Sequence, residues 1–252
     1  METCVRTPVI ARLTLTHFRN YRSAAVEPGP GFNIVHGENA QGKSNLLEAV
    51  HLVSTGRLMR EGRDSLAVMH SEESGVVEAE LAGTGTQVSV ELRRGHRKRV
   101  CLNGALLPRA SDVLGRIPTV SFSAGDLAII RGEPSARRHF LDTELSQIYP
   151  AYLRHLSVYK RALEQRNALL KWAQESYAAD EAFEPWEFHL TEHGAELRRY
   201  RNEWLAAIGP HAADAHADLG GGEKVTLRYV EHDIGDLGAA LVHGRTEDLR
   251  RG

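Results

Sequence analysis

Residues Gly37, Glu38, Asn39, Ala40, Gln41, Gly42, Lys43 and Ser44 spell GENAQGKS and match the spacing G-x-x-x-x-G-K-[ST]. Every specified position in that spacing has a physical task. The glycines let the backbone curl until successive N–H groups point inward at phosphate oxygens, and the helix that follows presents its positive N-terminal end. Lys43 is placed to reach the β- and γ-phosphates as a point charge. The Ser44 hydroxyl is placed as a ligand of nucleotide-bound Mg²⁺. The chemistry expected is therefore binding of ATP and Mg²⁺, with Gly37 to Ser44 as the binding set and Ser44 as the metal ligand. Glu38 sets a carboxylate beside a triphosphate, so its side chain is expected to point outward.

Such a loop must join a strand to a helix. Val9, Ile10, Leu13 and Leu15 mark a first strand over Val9 to Leu15, and Gly29-Pro30-Gly31 punctuates the approach to a second, buried strand over Phe32 to His36. Leu46, Leu47, Ala49, Val50, Leu52 and Val53 then recur at helical spacing. Further on, VVEAELAG, QVSVELRRG and KRVCLNG read as strands of a curled antiparallel sheet, with Asn103-Gly104 as a hairpin turn. From Pro134 the chain becomes helical, with Pro150 at a first helical position and a stripe of Leu153, Leu156, Tyr159 and Leu163. A third helix starts near Pro185 and carries Trp186, Leu190, Leu197, Tyr200, Trp204 and Ile208 on one face, and Pro210 is expected to end it. Val225 to Val230, alternating as VTLRYV, reads as a strand returning to the first domain.

With 252 residues, 42% of them hydrophobic, the chain can bury a sizeable core, and the formal net charge of −2 identifies no partner. No apolar stretch is long enough to span a bilayer and METCVRTPVI has no signal-peptide pattern, so the expected setting is cytoplasmic, without a membrane. Two cysteines, Cys4 and Cys101, are too few for a disulfide framework. The thirteen histidines contain no H-E-x-x-H motif and no paired metal spacing. His17, His36 and His51 are accordingly read as structural or exposed.

The residues around the loop carry more than a generic phosphate motif. LTLTHFRNYRS, FNIVHGENAQGKSNLLEAVHL and FSAGDLAIIRGEPSARRHFLD together resemble the RecF family, relatives of the SMC-type ABC ATPases. The resemblance implies an α/β P-loop ATPase head of ABC/SMC type, with mixed sheets and a P-loop helix in residues 1–122. It further implies an inserted α-helical lobe in 123–215 and the start of a return to the head in 216–252. It also implies ATP and Mg²⁺ at Gly37 to Ser44, head-to-head ATP-dependent homodimerisation in the full-length form, and binding of single-stranded or gapped DNA. Partners like RecO and RecR, support of replication and the SOS response follow from the same likeness. Arg19 and Asn20 of the FRN motif are placed near the phosphates by it. Ala40 stands where the family more often has glycine, which suggests a position with no need of positive φ.

Two family elements are missing from the reading: a Ser-Gly-rich signature and an acidic strand end. LGGGEK at Leu219 to Lys224 lacks the serine and reads as a glycine-rich turn, and FLDTE at Phe140 to Glu144 reads as helix. The expectation is a C-terminally truncated, hydrolysis-deficient chain that assigns no catalytic residue, because phosphoryl transfer needs positioned charge and an oriented water.

Arg93, Arg94, Arg97, Lys98 and Arg99 fall within seven positions. Such a cluster could neutralise nucleic-acid phosphates or simply face water. Arg137-Arg138 and Arg198-Arg199-Arg201 are weaker candidates, since on helices they can pair with Asp142, Glu196 or Glu203. A rival class is a P-loop small-molecule phosphotransferase of kinase type, which needs a second substrate pocket. A transporter ATPase subunit would need the missing signature and acidic strand.

Overall fold

Strict alternation of apolar and polar residues builds the first layer. In the computed structural model, which describes residues 9–60, 62–175, 180–220, 222–230 and 236–251, six strands form one sheet. They are β1 (Ile10–Phe18), β2 (Tyr21–Val26), β3 (Ser74–Leu81), β4 (Gln87–Arg93), β5 (Arg99–Leu102) and β6 (Ala105–Leu106), in the order β2-β1-β3-β4-β5-β6. Every pairing is antiparallel. Leu13, Leu15, Val77, Ala79, Val88, Val90, Leu92 and Val100 are buried at period two, so one face of the sheet is apolar throughout. Helix α1 (Lys43–Thr55) adds Ala49, Leu52 and Val53 to the same core. Asn103 and Gly104 sit at φ 50° and 78°, both left-handed, as a two-residue type I′ hairpin requires.

The chain divides into two compact units, 1–143 and 144–252. Helix α2 (Leu127–Arg131) lies in the first, and the division falls inside α3 (Pro134–Ile148), which contains the FLDTE segment as expected. In the second unit, α4 (Pro150–Glu175) starts on Pro150, α5 (Glu184–Asp218) packs against it, and α6 (Leu237–Arg251) packs on both.

Several sequence expectations change. Phe32 to His36 is irregular and not a strand, and Phe32 and Ile34 are largely exposed. A strand exists only through its neighbours' hydrogen bonds, and no described segment pairs with this one. The same holds for Val225 to Val230, which is irregular, with Leu227 and Val230 exposed. The stripe on α4 is shifted: Tyr152, Leu156, Ala162 and Leu170 are buried whereas Leu163 is exposed. Pro210 does not end α5, which continues for two more turns to Asp218. Proline removes one hydrogen bond from a long helix, costing about 3 kcal/mol, which packing along the rest of the helix can offset. Leu219 and Gly220 of LGGGEK form the turn after α5, while Gly221, like Cys4 and the rest of the N-terminal stretch before Val9, lies outside the described residues.

Buried charge holds the second unit together. Glu187 of α5 accepts from Arg166 of α4 at 3.1 Å and from Arg245 of α6 at 3.0 and 2.6 Å. Arg166 also reaches Asp248 at 2.9 Å, and Arg245 reaches Asp180 at 2.9 Å. Burial alone would raise the Glu187 carboxyl, but the two guanidinium groups outweigh it and hold it below the ordinary glutamate range. A lowered folded-state value means stability that is fully present above the ordinary glutamate pKa and lost as pH falls through the lowered one. Helical signal and the melting temperature of the second unit should therefore drop on acidification across and below the ordinary glutamate value. Glu187→Gln should be less stable at neutral pH by about 3–5 kcal/mol, as for removal of one partner of a buried pair. It should also show a flatter acid dependence. An unchanged pH profile in that variant would remove Glu187 from the explanation.

Candidate nucleotide-binding site

The loop is shaped before it meets any ligand. Gly42, at φ 107°, caps the N-terminus of α1, and a Cβ placed there would lie 2.7–2.8 Å from the Asn20 side-chain amide. Glycine is thus required twice, by backbone and by space. Ala40 sits at φ 66°, in the left-handed region, which overturns the expectation that this position needs no positive φ. The departure from the family's usual glycine is a strained one, worth about 1–2 kcal/mol.

Gly37 to Gln41 and Ser44 are exposed, Lys43 is half-buried and Gly42 is buried. The Lys43 ammonium donates to the carbonyl oxygens of Gly37 at 2.7 Å and Glu38 at 2.6 Å. The ammonium is thereby held over the loop by two carbonyl oxygens. Ser44 stands in the first turn of α1, whose first turn holds no acidic residue to repel an anion. The loop, lysine and hydroxyl fit ATP with Mg²⁺.

What holds the loop comes from the turn between β1 and β2. Asn20 Nδ2 donates to the Gln41 carbonyl at 3.1 Å and Tyr21 Oη to the Gly42 carbonyl at 3.2 Å. Asn45 donates to the Asn20 side-chain oxygen at 2.8 Å, and Arg60 to the Asn45 side-chain oxygen at 3.2 Å. Arg19 behaves otherwise than expected. Its guanidinium is directed to Glu48 on α1, with both contacts at 2.9 Å, and to the Leu66 carbonyl, also at 2.9 Å. Glu48 is 1% exposed, and a carboxylate so buried needs a charged partner. Arg19 accordingly serves the fold, and Asn20 serves the loop.

Sequence reading passed over Tyr21, Asn45, Glu48 and Arg60. The available signal was Glu48, a carboxylate within the apolar pattern of the P-loop helix, facing the one arginine of the FRN motif. His51, also on α1, is held below the ordinary imidazole range by burial, which Glu48 only partly counters. Its Nδ1 is buried without a hydrogen-bond partner among the described residues.

The basic cluster resolves into two kinds of residue. Arg94 donates to the carbonyls of Val68, Met69 and Glu72, and Lys98 pairs with Asp64 at 3.1 Å, so both stabilise the first unit itself. Arg93, His96, Arg97 and Arg99 stay exposed at the β4–β5 hairpin and line a shallow depression with Glu91. Arg199 is tied to Glu196 and Glu203 on its own helix, as expected for helical charges.

The Arg19–Glu48 pair gives a measurable expectation. Arg19→Ala leaves Glu48 buried and uncompensated, so denaturant unfolding of the first unit should lose about 3 kcal/mol or more. The double replacement Arg19→Met with Glu48→Leu, which removes both charges, should recover most of that loss. Equal destabilisation of the single and double variants would show that the ion pair is not what matters.

A family model described as an AAA domain matches residues 12–198. The DNA replication and repair protein RecF of Symbiobacterium thermophilum is 38% identical over 234 residues, covering 92% of this chain and 62% of that protein. The same-named protein of Synechococcus sp. is 41% identical over 223 residues, covering 86% and 58%. The chain thus spans about three fifths of the length of these curated relatives. The solved structure of the recombination mediator protein RecF with ATP superposes with a TM-score of 0.88 at 28% identity, covering all of this chain and 71% of that one. An Smc head domain from Pyrococcus furiosus, at 17% identity and a TM-score of 0.50 over 97% of this chain, shares the fold alone. Sheet, P-loop helix and helical lobe are those of an α/β ATPase head of ABC/SMC type, and the chain belongs to the AAA-domain family and to the RecF family.

Proposed function

We propose that this chain binds ATP with Mg²⁺ at Gly37 to Ser44 and works in DNA repair, as the names of its relatives indicate for them. The observation that carries this reading is the Lys43 ammonium, already coordinated by two loop oxygens beside the exposed Ser44 at the start of α1. On binding, phosphate oxygens replace the carbonyls of Gly37 and Glu38, and Ser44 supplies a hydroxyl to the metal. Asn20 and Tyr21 keep the loop curled meanwhile, so little ordering has to accompany binding. Lys43→Ala should abolish saturable binding of a fluorescent ATP analogue with Mg²⁺ while leaving the far-UV circular dichroism spectrum unchanged. Equal affinity in both proteins would refute the assignment.

Within the same reading, the surface offered to single-stranded or gapped DNA is the β4–β5 hairpin with Arg93, Arg97 and Arg99. ATP-dependent pairing of two copies, cooperation with RecO- and RecR-like proteins, support of replication and the SOS response, and a cytoplasmic setting complete the proposal. Among the described residues no helix is long and apolar enough to cross a membrane. Reversing Arg93, Arg97 and Arg99 to glutamate should lower DNA affinity and reduce its logarithmic salt slope by about 2–3, since each lost phosphate contact removes about one unit. Reversing Lys98, which Asp64 already holds, should act on stability instead. A slope untouched by the triple reversal takes this hairpin out of the DNA surface.

A further inference from the structure

The absence of paired metal spacing expected among the histidines does not survive the structure. His189-Leu190-Thr191-Glu192-His193 has the spacing H-x-x-E-H, in which two imidazoles one helical turn apart face the same way and a carboxylate sits beside them. On α5 the two rings stack, 5.7 Å between centroids and 17° apart in plane. Ligand atoms of His189, Glu192 and His193 all lie within 4.8 Å of one another. From α4, His155 Nδ1 lies 2.9 Å from His193 Nδ1, which leaves His193 Nε2, 3.9 Å from Glu192, to face the cluster. His189 keeps a buried ring nitrogen, Nδ1, with no hydrogen-bond partner among the described residues.

We propose that His189, Glu192 and His193 bind one divalent transition-metal ion of the Zn²⁺ type, with His155 on α4 holding the His193 ring through its other nitrogen. Two imidazoles and one carboxylate form a donor set suited to zinc and its neighbours and poorly suited to Mg²⁺, which takes oxygen ligands and keeps its waters. Zn–N bonds of about 2.0–2.1 Å put tetrahedral ligand atoms about 3.3 Å apart, so donor atoms now within 4.8 Å of one another have to turn inward by a change of side-chain rotamer. Three protein donors leave the fourth position to water. Glu192 is exposed, which gives the ion and its water a way in. The site stands apart from the phosphate loop in sequence and in ligand chemistry, since all three donors belong to the second compact unit.

The test uses the whole chain, free of any affinity tag and stripped with a chelator, titrated with Co²⁺ and then with Zn²⁺ in competition. One equivalent of Co²⁺ should bind with the strong visible d–d bands of tetrahedral coordination, Zn²⁺ should displace it, and Zn²⁺ should raise the melting temperature. His193→Ala should abolish the bands, and Glu192→Gln, at an exposed position that does not threaten folding, should weaken binding by at least about 10-fold. His211→Ala, on α5 outside the cluster, and Lys43→Ala, in the phosphate loop, should bind as the parent does. Absence of tetrahedral bands in the parent chain overturns the proposal. So does an unchanged affinity in Glu192→Gln, or loss of binding in Lys43→Ala, which would place the ion at the nucleotide loop.

Discussion

A single buried ion pair sets the geometry on which the phosphate loop depends. Arg19 leaves β1 in a left-handed conformation, at φ 53°, that a residue with a side chain resists. It is kept there by its backbone N–H on the Ala67 carbonyl at 2.7 Å and by its guanidinium on Glu48. That turn fixes the next two residues, Asn20 and Tyr21, against the carbonyls of Gln41 and Gly42. Because Glu48 lies on the helix that the loop opens, the same pair docks the helix start to the sheet edge. Displacing the arginine would therefore disturb core and loop together. The strained residues at Arg19 and Ala40 make sense in this light, since backbone strain persists only where surrounding contacts over-determine the position.

The other side of the loop is held by very little. Phe32 and Ile34 precede it, and Val120 and Phe122 belong to a second irregular segment of the first unit; all four are largely exposed. Both segments alternate apolar and polar residues as strands do, yet neither has a ladder partner among the described residues. Exposed apolar surface on this scale is unusual for a soluble domain, and rows of unpaired backbone groups beside it are equally unusual. The loop's curl thus rests on Asn20, Tyr21 and the left-handed backbone, and not on a strand pulling it taut from behind.

How legible each part was follows from where its cause lies. The β3–β5 strands and the Asn103-Gly104 turn were readable because their cause is local: alternation along one segment and a dipeptide that accepts φ > 0. The phosphate loop was readable because one contiguous octapeptide contains its chemistry. Phe32 to His36 was misread because its β pattern is local but strand formation is not; pairing is a property of neighbours. Val225 to Val230 failed for the same reason, and its Tyr229 hydroxyl instead meets Arg201 at 3.3 Å. At Ala40 the Cβ argues against a positive φ, while the contacts that hold the loop beside it, from Asn20 to Gln41 and from Tyr21 to Gly42, are long-range and leave no mark on the octapeptide. The H-x-x-E-H run escaped notice because it lay within an amphipathic pattern, and only the arrival of His155 from α4 gives it meaning.

The two units solve the problem of buried polar groups in opposite ways, and this explains why they should answer to different perturbations. In the first, an apolar sheet face and α1 make the core, and one charge pair is admitted at its edge. In the second, Arg166, Glu187 and Arg245 are themselves interior, all under a tenth exposed, and their hydrogen bonds join three helices beside the buried Tyr152, Leu156, Leu170, Leu190 and Leu197. Burying those charges stabilises little by itself, since desolvation offsets most of the attraction. The cost lies in removing one partner, which leaves the others buried and uncompensated. The imidazole cluster follows the same logic without the charge: His155, His189 and His193 place polar nitrogens at the α4–α5 contact, and His189 Nδ1 has no hydrogen-bond partner among the described residues. A helical unit that admits charges and imidazoles among its buried apolar residues in this way is specified partly by its donors and acceptors, and protons or cations that compete for them reach its stability directly.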